Sequence, residues 1–350
     1  MQPTPSFFLA DMALTAAAQR AAEHLRGASG LLVTCGAGFG VDSGLPDFRG
    51  KEGLWQAYPP LAKRGLSFEE MADPQWFVEC VILSRNSVHT ICFSCVALCR
   101  DPQFAWGFYG HRLNLYRETQ PHKGFQILQE WSGQMSRGSF VFTTNVDGHF
   151  QKAGFSAGRI CEVHGSIHHI QAADPATVIH EWQMAGAGVE QHPKDMKVVH
   201  SLYNVPLVAT ADHLQLEVDM DALRVSSESL PMWPSPNGGP SAGVARPNIK
   251  MFCDESFVVG RQAHQVTAFK EWVAHAAAEG GLVVLDAGSG TSVPVARITA
   301  EQVAGHLKAP LIRINPREAH IEAAAIPADR AVSMQCTALE GLSLIDECMQ

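Results

Sequence analysis

Four short apolar runs, each followed within three residues by glycine or asparagine, constrain this chain more than any other feature. They are Leu31-Leu32-Val33-Thr34-Cys35, Phe140 to Thr144, Leu282 to Leu285 and Leu311 to Ile314. Runs this short and this continuously apolar read as strands buried on both faces. Helical patterns lie between them. Asp11 reads as the cap of a helix to Arg26, with Leu14, Ala18, Ala21 and Leu25 on one face and Gly27 as its stop. Phe125 to Trp131, Ala263 to Ala278, Ala300 to Leu307 and Thr337 to Cys348 have the same spacing. Buried strands alternating with helices predict an α/β fold, a parallel sheet with helices on both faces.

Two stretches break this rhythm. Cys80 to Cys99 is rich in cysteine and apolar residues and lies between near copies, Asp73-Pro74-Gln75-Trp76-Phe77 and Asp101-Pro102-Gln103-Phe104. Residues 80–100 therefore read as a local insertion. The second stretch, 170–245, mixes Pro, Gly and Ser with short strand-like pieces such as Lys197 to Leu202. Its segment Ser229 to Gly243 holds four prolines and three glycines, the mark of a loop. The expected organisation is a larger domain over 11–169 and 246–350 with a small module, 170–245, inserted into it.

Composition excludes several classes. At 46% hydrophobic and 17% charged residues, the chain is not globally disordered. Its net charge of −9, without a basic stripe, argues against binding nucleic acid through phosphate neutralisation. No apolar run reaches the roughly 20 residues that span a bilayer. Met1 to Arg20 lacks a charged segment ahead of an apolar core, so no secretory signal is expected. Nine scattered cysteines do not form a disulfide framework, which points to a reducing, cytoplasmic setting, with nucleus and mitochondrion left open.

The polar residues just past the strands carry the chemistry. Gly36-Ala37-Gly38-Phe39-Gly40-Val41 comes after the first strand and departs from G-x-G-x-x-G only at Val41. Such a loop lets backbone approach a pyrophosphate at a helix N-terminus. Leu45-Pro46-Asp47-Phe48-Arg49-Gly50 comes next. Thr143-Thr144-Asn145-Val146-Asp147 ends the second run, with Glu162-Val163-His164-Gly165-Ser166 further along. Gly288-Ser289-Gly290-Thr291-Ser292 and Asn315 sit at later strand ends. Ligands of open α/β sheets bind outside the carboxyl ends of the strands, where all these clusters fall.

Taken together these motifs resemble the sirtuin family of NAD-dependent protein deacylases. Gly36 to Arg49 resembles the family's G-A-G-x-S-x-x-S-G-I-P-D-F-R, Thr143 to Asp147 its T-Q-N-I-D, and His164-Gly165 its catalytic H-G. Arg246-Pro247-Asn248-Ile249 resembles the R-P-x-I/V before the substrate strand. Gly290-Thr291-Ser292 and Ile314-Asn315 resemble later nucleotide motifs, all in family order. The resemblance implies a Rossmann-like parallel sheet with a smaller inserted module. It implies NAD as cofactor and an acyl-lysine protein or peptide as partner, with no direct nucleic acid and no membrane.

By that resemblance Gly36, Ala37 and Gly38 line the phosphates, and Asp47, Phe48 and Arg49 border the nicotinamide ribose. Asn145 holds the ribose and a water, and Asp147 the nicotinamide amide. Gly290, Thr291, Ser292 and Asn315 contact the adenosine half, and Cys336 and Thr337 approach the adenine. His164 is the general base, since histidine's ordinary pKa lies near operating pH. The implied products are nicotinamide, free lysine and O-acyl-ADP-ribose. Tyr109 and Arg112, at i and i+3 on one helix face, resemble the Y-x-x-R of sirtuins that remove succinyl and malonyl groups. They suggest acidic-acyl recognition, with Phe252 also on the substrate side.

The chain departs from the family in four places. No cysteine lies between Cys161 and Cys253, so the usual Cys₄ zinc ribbon cannot form there, and no metal is expected. Cys80, Cys92, Cys95 and Cys99 offer one C-x-x-C and read as buried small residues rather than ligands. Gly40 stands for the signature serine and Thr144 for the glutamine of T-Q-N. The substrate-strand F-G-E becomes Phe252-Cys253-Asp254, which puts a side chain where glycine is usual. Two alternatives remain open: an NAD glycohydrolase or ADP-ribosyltransferase, and a non-catalytic NAD-binding module. Retention of Asn145, Asp147 and His164 together argues against the last.

Overall fold

A computed structural model describes residues 5–46, 50–78, 101–174, 198–200, 206–234 and 243–350. They fall into two compact units. The first comprises Met1–Asp47, Thr119–His164 and Gln262–Gln350, the second Phe48–Glu118 and Gly165–Arg261.

The first unit is built on β1 (Gly30–Cys35), β2 (Ser139–Thr143), β3 (Ile160–Glu162), β10 (Leu282–Ala287), β11 (Leu311–Ile314) and β12 (Ala331–Met334). The six strands between β3 and β10 in the chain belong to the second unit. All neighbouring pairs are parallel, in the order β12-β11-β10-β1-β2-β3. This is the doubly wound Rossmann order, and the chain reverses direction across the sheet between β1 and β10.

Alternate residues of the strands supply two cores. Leu31, Val33, Cys35, Val141, Val283 and Leu285 pack with the helices Pro5–Arg26, Lys123–Gln134 and Ala338–Met349. Leu32, Phe140, Phe142 and Val284 pack with Gly260–Glu279 and Val295–Leu307 through Phe269, Trp272, Ala300 and Ala304. Burial on both faces is why the strands read as unbroken apolar runs.

Some boundaries differ from the sequence expectation. The first helix begins at Pro5, upstream of Asp11. β3 and β12 were not expected, since one is three residues long and the other alternates buried and exposed positions. β10 runs past Leu285 to Ala287 because Asp286, which breaks the apolar run, is paired inside the sheet. Arg313 Nε donates to Asp286 Oδ2 at 2.7 Å and Thr34 Oγ1 to Asp286 Oδ1 at 3.1 Å. Thr34, Asp286 and Arg313 are register partners on three adjacent strands.

The second unit holds β4 (Gly165–Ala172), β5 (Val198–His200), β6 (Pro206–Thr210) and β9 (Ala245–Ile249) in an antiparallel sheet ordered β5-β6-β4-β9. A short pair, β7 (Val218–Asp219) and β8 (Arg224–Val225), lies in the same unit. The second unit is larger than the module expected over 170–245, since residues 48–118 belong to it. The helix Pro102–Glu118 is the reason. Trp106 Nε1 donates to Ala245 O at 2.7 Å, and Asn114 Nδ2 to Leu216 O at 2.8 Å. Arg117 donates to Leu214 O and Ala211 O, both at 2.7 Å. Periodicity marks that segment as helical without saying which carbonyls its polar side chains bind. The expected insertion at 80–100, with Cys80, Cys92, Cys95 and Cys99, lies outside the described residues.

The pair Asp286–Arg313 is almost wholly out of water, at 1% and 0% side-chain exposure. Asp286→Ala leaves the guanidinium without this partner, and chemical denaturation should register a loss of about 3–5 kcal/mol.

Candidate active site

The site of the first unit is set by one row of the sheet. Glu162, Thr143, Cys35, Ala287, Ile314 and Met334 are successive register partners from β3 across to β12. The residues just beyond that row are the ones the motifs singled out: His164, Asn145, Gly36 to Gly38, Gly288 onward, Asn315, and Cys336 with Thr337. Val163 N donates to Thr143 O at 3.0 Å, which extends the β2–β3 pairing by one residue and sets His164 directly after it. His164 is half-buried and closes the first unit.

The loops after β1 and β10 touch. Gly38 N donates to Gly288 O at 3.1 Å. Gly288 has φ +67, and a Cβ there would lie 2.2 Å from Phe39 N and 2.4 Å from the Gly38 carbonyl carbon. Only glycine permits that approach. In place of the expected helix N-terminus, the β1 loop forms two three-residue 3-10 turns, Ala37–Phe39 and Val41–Ser43. The cradle is therefore made of bare backbone and small residues rather than a helix dipole.

Asn145 is fixed from both sides. Its Nδ2 donates to Gly36 O at 3.0 Å, and its backbone N donates to Thr143 Oγ1 at 3.0 Å. Asp147 is buried, and its Oδ1 accepts from His149 N at 2.9 Å. Burial pushes the Cys35 thiol far up its scale, so this cysteine stays protonated under the sheet edge.

On the other half of the edge, Asn315 is buried. Its Nδ2 donates to Ser289 O at 2.9 Å, and its Oδ1 accepts from Arg317 N and Glu318 N. Gly290 is half-buried, while Thr291 and Ser292 are exposed. Thr291 Oγ1 donates to Glu318 Oε1 at 2.5 Å. Cys336 is buried, its thiol pushed up to about 12 by that burial. Thr337 caps the helix Ala338–Met349, accepting from Glu340 N. Asp47, Phe48 and Arg49 lie outside the described residues.

Sequence reasoning missed Ser289. It is 2% exposed, next to Gly288 at the end of β10, and its Oγ has no hydrogen-bond partner. A buried hydroxyl in that state costs about 1–3 kcal/mol until a ligand satisfies it. The signal was the register, since Ser289 lies closer to the Ala287 row than Thr291 or Ser292. An orphaned hydroxyl and a cradle that any Cβ would fill both fit a dinucleotide.

In the second unit, Gly165 opens β4 at φ +82, where a Cβ would lie 2.1 Å from Asn248 O. That close strand approach gives the H-G glycine a structural reason. The loop after β9 is pinned by a buried pair. Arg246 Nη2 donates to both Asp254 oxygens at 2.9 Å, and Asp254 also accepts from Met251 N and from Ser256 N and Oγ. Phe252 (42% exposed) and Cys253 lie within that pinned loop. Cys253 has φ +50, a conformation that disfavours any side chain.

Arg112 is buried, and both Nε and Nη2 donate to Tyr116 Oη, at 3.1 and 2.8 Å. Its guanidinium also lies over the rings of Phe68, Phe108, Tyr109 and Tyr116. Tyr109, expected to offer its phenol beside Arg112, is 1% exposed and presents its ring face instead. Burial raises its phenol to about 12.

Among the described residues, no group of three or more His, Cys, Asp or Glu is set to hold a metal. A Cys₄ zinc site does not fit the 170–245 region, which has no cysteine.

The sequence profile of the Sir2 family matches residues 83–257. An NAD-dependent protein deacylase of Aquifex aeolicus is 28% identical over 144 residues, 41% of this chain and 47% of that protein. An NAD-dependent protein deacetylase of Saccharolobus solfataricus is 32% identical over 149 residues, 43% of this chain and 47% of that protein. The chain thus spans about half the length of the curated relatives it matches. Among solved structures, an ADP-ribose complex of a mutant Sir2 homologue aligns at a TM-score of 0.55 and 19% identity. That alignment covers 94% of this chain and 95% of the other. At that identity the likeness is one of fold.

The strain at Cys253 has a direct test. Cys253→Gly should stabilise the protein by about 1 kcal/mol in denaturant unfolding, because glycine adopts the left-handed conformation freely.

Proposed function

The chain belongs to the Sir2 family, and from that premise we propose that it is an NAD-dependent protein-lysine deacylase. In this reading it converts an acyl-lysine protein or peptide, NAD and one water into free lysine, nicotinamide and O-acyl-ADP-ribose. The observation that carries it is the single row of register partners beyond which His164, Asn145, the Gly36–Gly38 loop, Ser289 and Asn315 all fall.

Bound NAD supplies a ribose carbon from which nicotinamide can depart. The chain's own residues do the rest. The Gly36–Gly38 turn, whose lack of bulky side chains lets a ligand approach its backbone, and the hydroxyl of Ser289 border the phosphates. Asn145, fixed by Gly36 and Thr143, orients the ribose without needing to reorganise. Asp147 holds the nicotinamide amide. Asn315, with Gly290, Thr291 and Ser292, borders the adenosine half, and Cys336 and Thr337 the adenine. His164 takes up the proton of a ribose hydroxyl at its imidazole nitrogen and so acts as general base. A site serving only to hold NAD has no chemical need for that histidine.

In the second unit, Phe252 offers an exposed ring to the substrate. A preference for acidic acyl groups rests on Arg112. Its guanidinium is framed by aromatic rings, and a guanidinium meeting a carboxylate forms a charge-assisted hydrogen bond. The phenol bonded to it is that of Tyr116, one turn after Arg112, with the Tyr109 ring beneath.

Nicotinamide release from NAD, measured without peptide, with acetyl-lysine peptide and with succinyl-lysine peptide, tests this reading. Release should require peptide and should fall by at least about a hundredfold in His164→Ala. Faster release with succinyl than acetyl peptide supports the role of Arg112. Release without peptide would instead identify a glycohydrolase, and NAD binding with no release a binding module. Ser289→Ala should weaken ADP-ribose binding about threefold to tenfold while leaving the ligand-free protein as stable or more so, since it removes an unsatisfied buried hydroxyl.

A further inference from the structure

His122 has no part in the assignments above, yet it is tied to the dinucleotide loop at two points. It is 7% exposed. Its backbone N donates to Ser43 Oγ at 2.9 Å. Its ring Nε2 lies 2.9 Å from Phe39 O, and its ring Nδ1 accepts from Gly124 N at 3.0 Å. These partners fix the tautomer. Nδ1 faces a donor and carries no proton, whereas Nε2 faces a carbonyl and carries one.

The surroundings are shaped to this ring. It packs between Phe39 and Phe125, at centroid distances of 5.1 and 4.9 Å. A Cβ on Gly124 would lie 2.6 Å from its Cε1 and 2.8 Å from its Nδ1. Burial lowers the imidazole's pKa below its ordinary value, against the opposing pull of the Phe39 carbonyl and of Asp42. His149, on the helix His149–Lys152, acts in the same direction as burial.

Phe39 ends the turn that Gly36 begins, and its N–H donates back to Gly36 O at 2.9 Å. That turn is held at Gly38 by the β10 loop, through Gly288 O, and at Phe39 by His122. We propose that His122 is a positioning residue for the dinucleotide: its neutral ring holds the Phe39 carbonyl and thereby sets the Gly36–Gly38 backbone that borders the phosphates. The proposal rests on the NAD reading above and adds to it a residue that touches no ligand.

A residue that merely caps the helix Lys123–Gln134 would behave differently. His122→Asn keeps an acceptor for Gly124 N but is too short to bridge to Phe39 O, whereas His122→Ala loses both. The expected result for His122→Asn is a melting temperature lowered by the loss of the packed ring, with ADP-ribose Kd and KM for NAD raised about tenfold and kcat little altered. His122→Ala should show the same rise in Kd with a still lower melting temperature, because it loses the helix cap as well. Wild-type affinity in His122→Asn would reduce the side chain to a cap and overturn the proposal. Should His122→Asn fail to fold, His122→Ala assayed below its melting temperature carries the same test, since it too removes the ring from Phe39 O, and a wild-type Kd there would also overturn the proposal. Wild-type protein that binds no ADP-ribose at all would remove the NAD reading itself and this inference with it, a result distinct from loss in the variants alone.

Discussion

The contact between the loops after β1 and β10 is the constraint on which the rest of the first unit depends. Where a doubly wound sheet reverses its winding, two strand ends diverge and leave a crevice. Here Gly38 and Gly288 close the floor of that crevice backbone to backbone, with 2.2 Å between Phe39 N and the place a Gly288 Cβ would take. The row of register partners then carries that geometry sideways. Once β1 and β10 are in register, β2, β3, β11 and β12 present their terminal residues along the same edge. Chemistry contributed by stretches far apart in the chain is aligned by hydrogen bonds that carry no chemistry themselves.

Several side chains of the proposed site are held by neighbouring backbone and side-chain groups. Asn145 is set by Thr143 and Gly36, Asn315 by the backbone it captures at Ser289, Arg317 and Glu318, and the loop after β9 by Arg246 and Asp254. Such fixation lowers the cost of ordering a ligand, because the polar groups are already oriented. The second unit obeys the same rule without a fitted zinc ribbon. Arg117 and Asn114 bind the carbonyls of the 211–216 segment, giving helix-mounted hydrogen bonds to a stretch poor in regular structure.

The fold was largely legible. Four strands and five helical patterns were readable because burial on both faces removes polar residues from the strands, and helices advertise their buried stripe. The misses have physical causes. β3 is too short to form a run, and β12 shows alternation because one face meets solvent. Asp286 ended a predicted strand because a carboxylate reads as surface unless its partner is known, and Arg313 is 27 residues away. The helix Pro102–Glu118 was assigned to the sheet domain because periodicity gives a buried face but not what buries it.

The sequence by itself determined the α/β class, the strand ends at which the motif residues fall, the family motifs and the impossibility of a Cys₄ ribbon after His164. Those depend on residue type and spacing, which the chain states outright. Only the tertiary structure decided that Ser289 is the buried hydroxyl beside Gly288, that Tyr116 supplies the phenol bonded to Arg112, and that Cys253 stands in a left-handed turn. It also decided that His122 bridges a helix cap to the Gly36–Phe39 turn. Each of these depends on which backbone atom lies close to a given side chain, and that distance is set by register and packing between segments far apart in the chain.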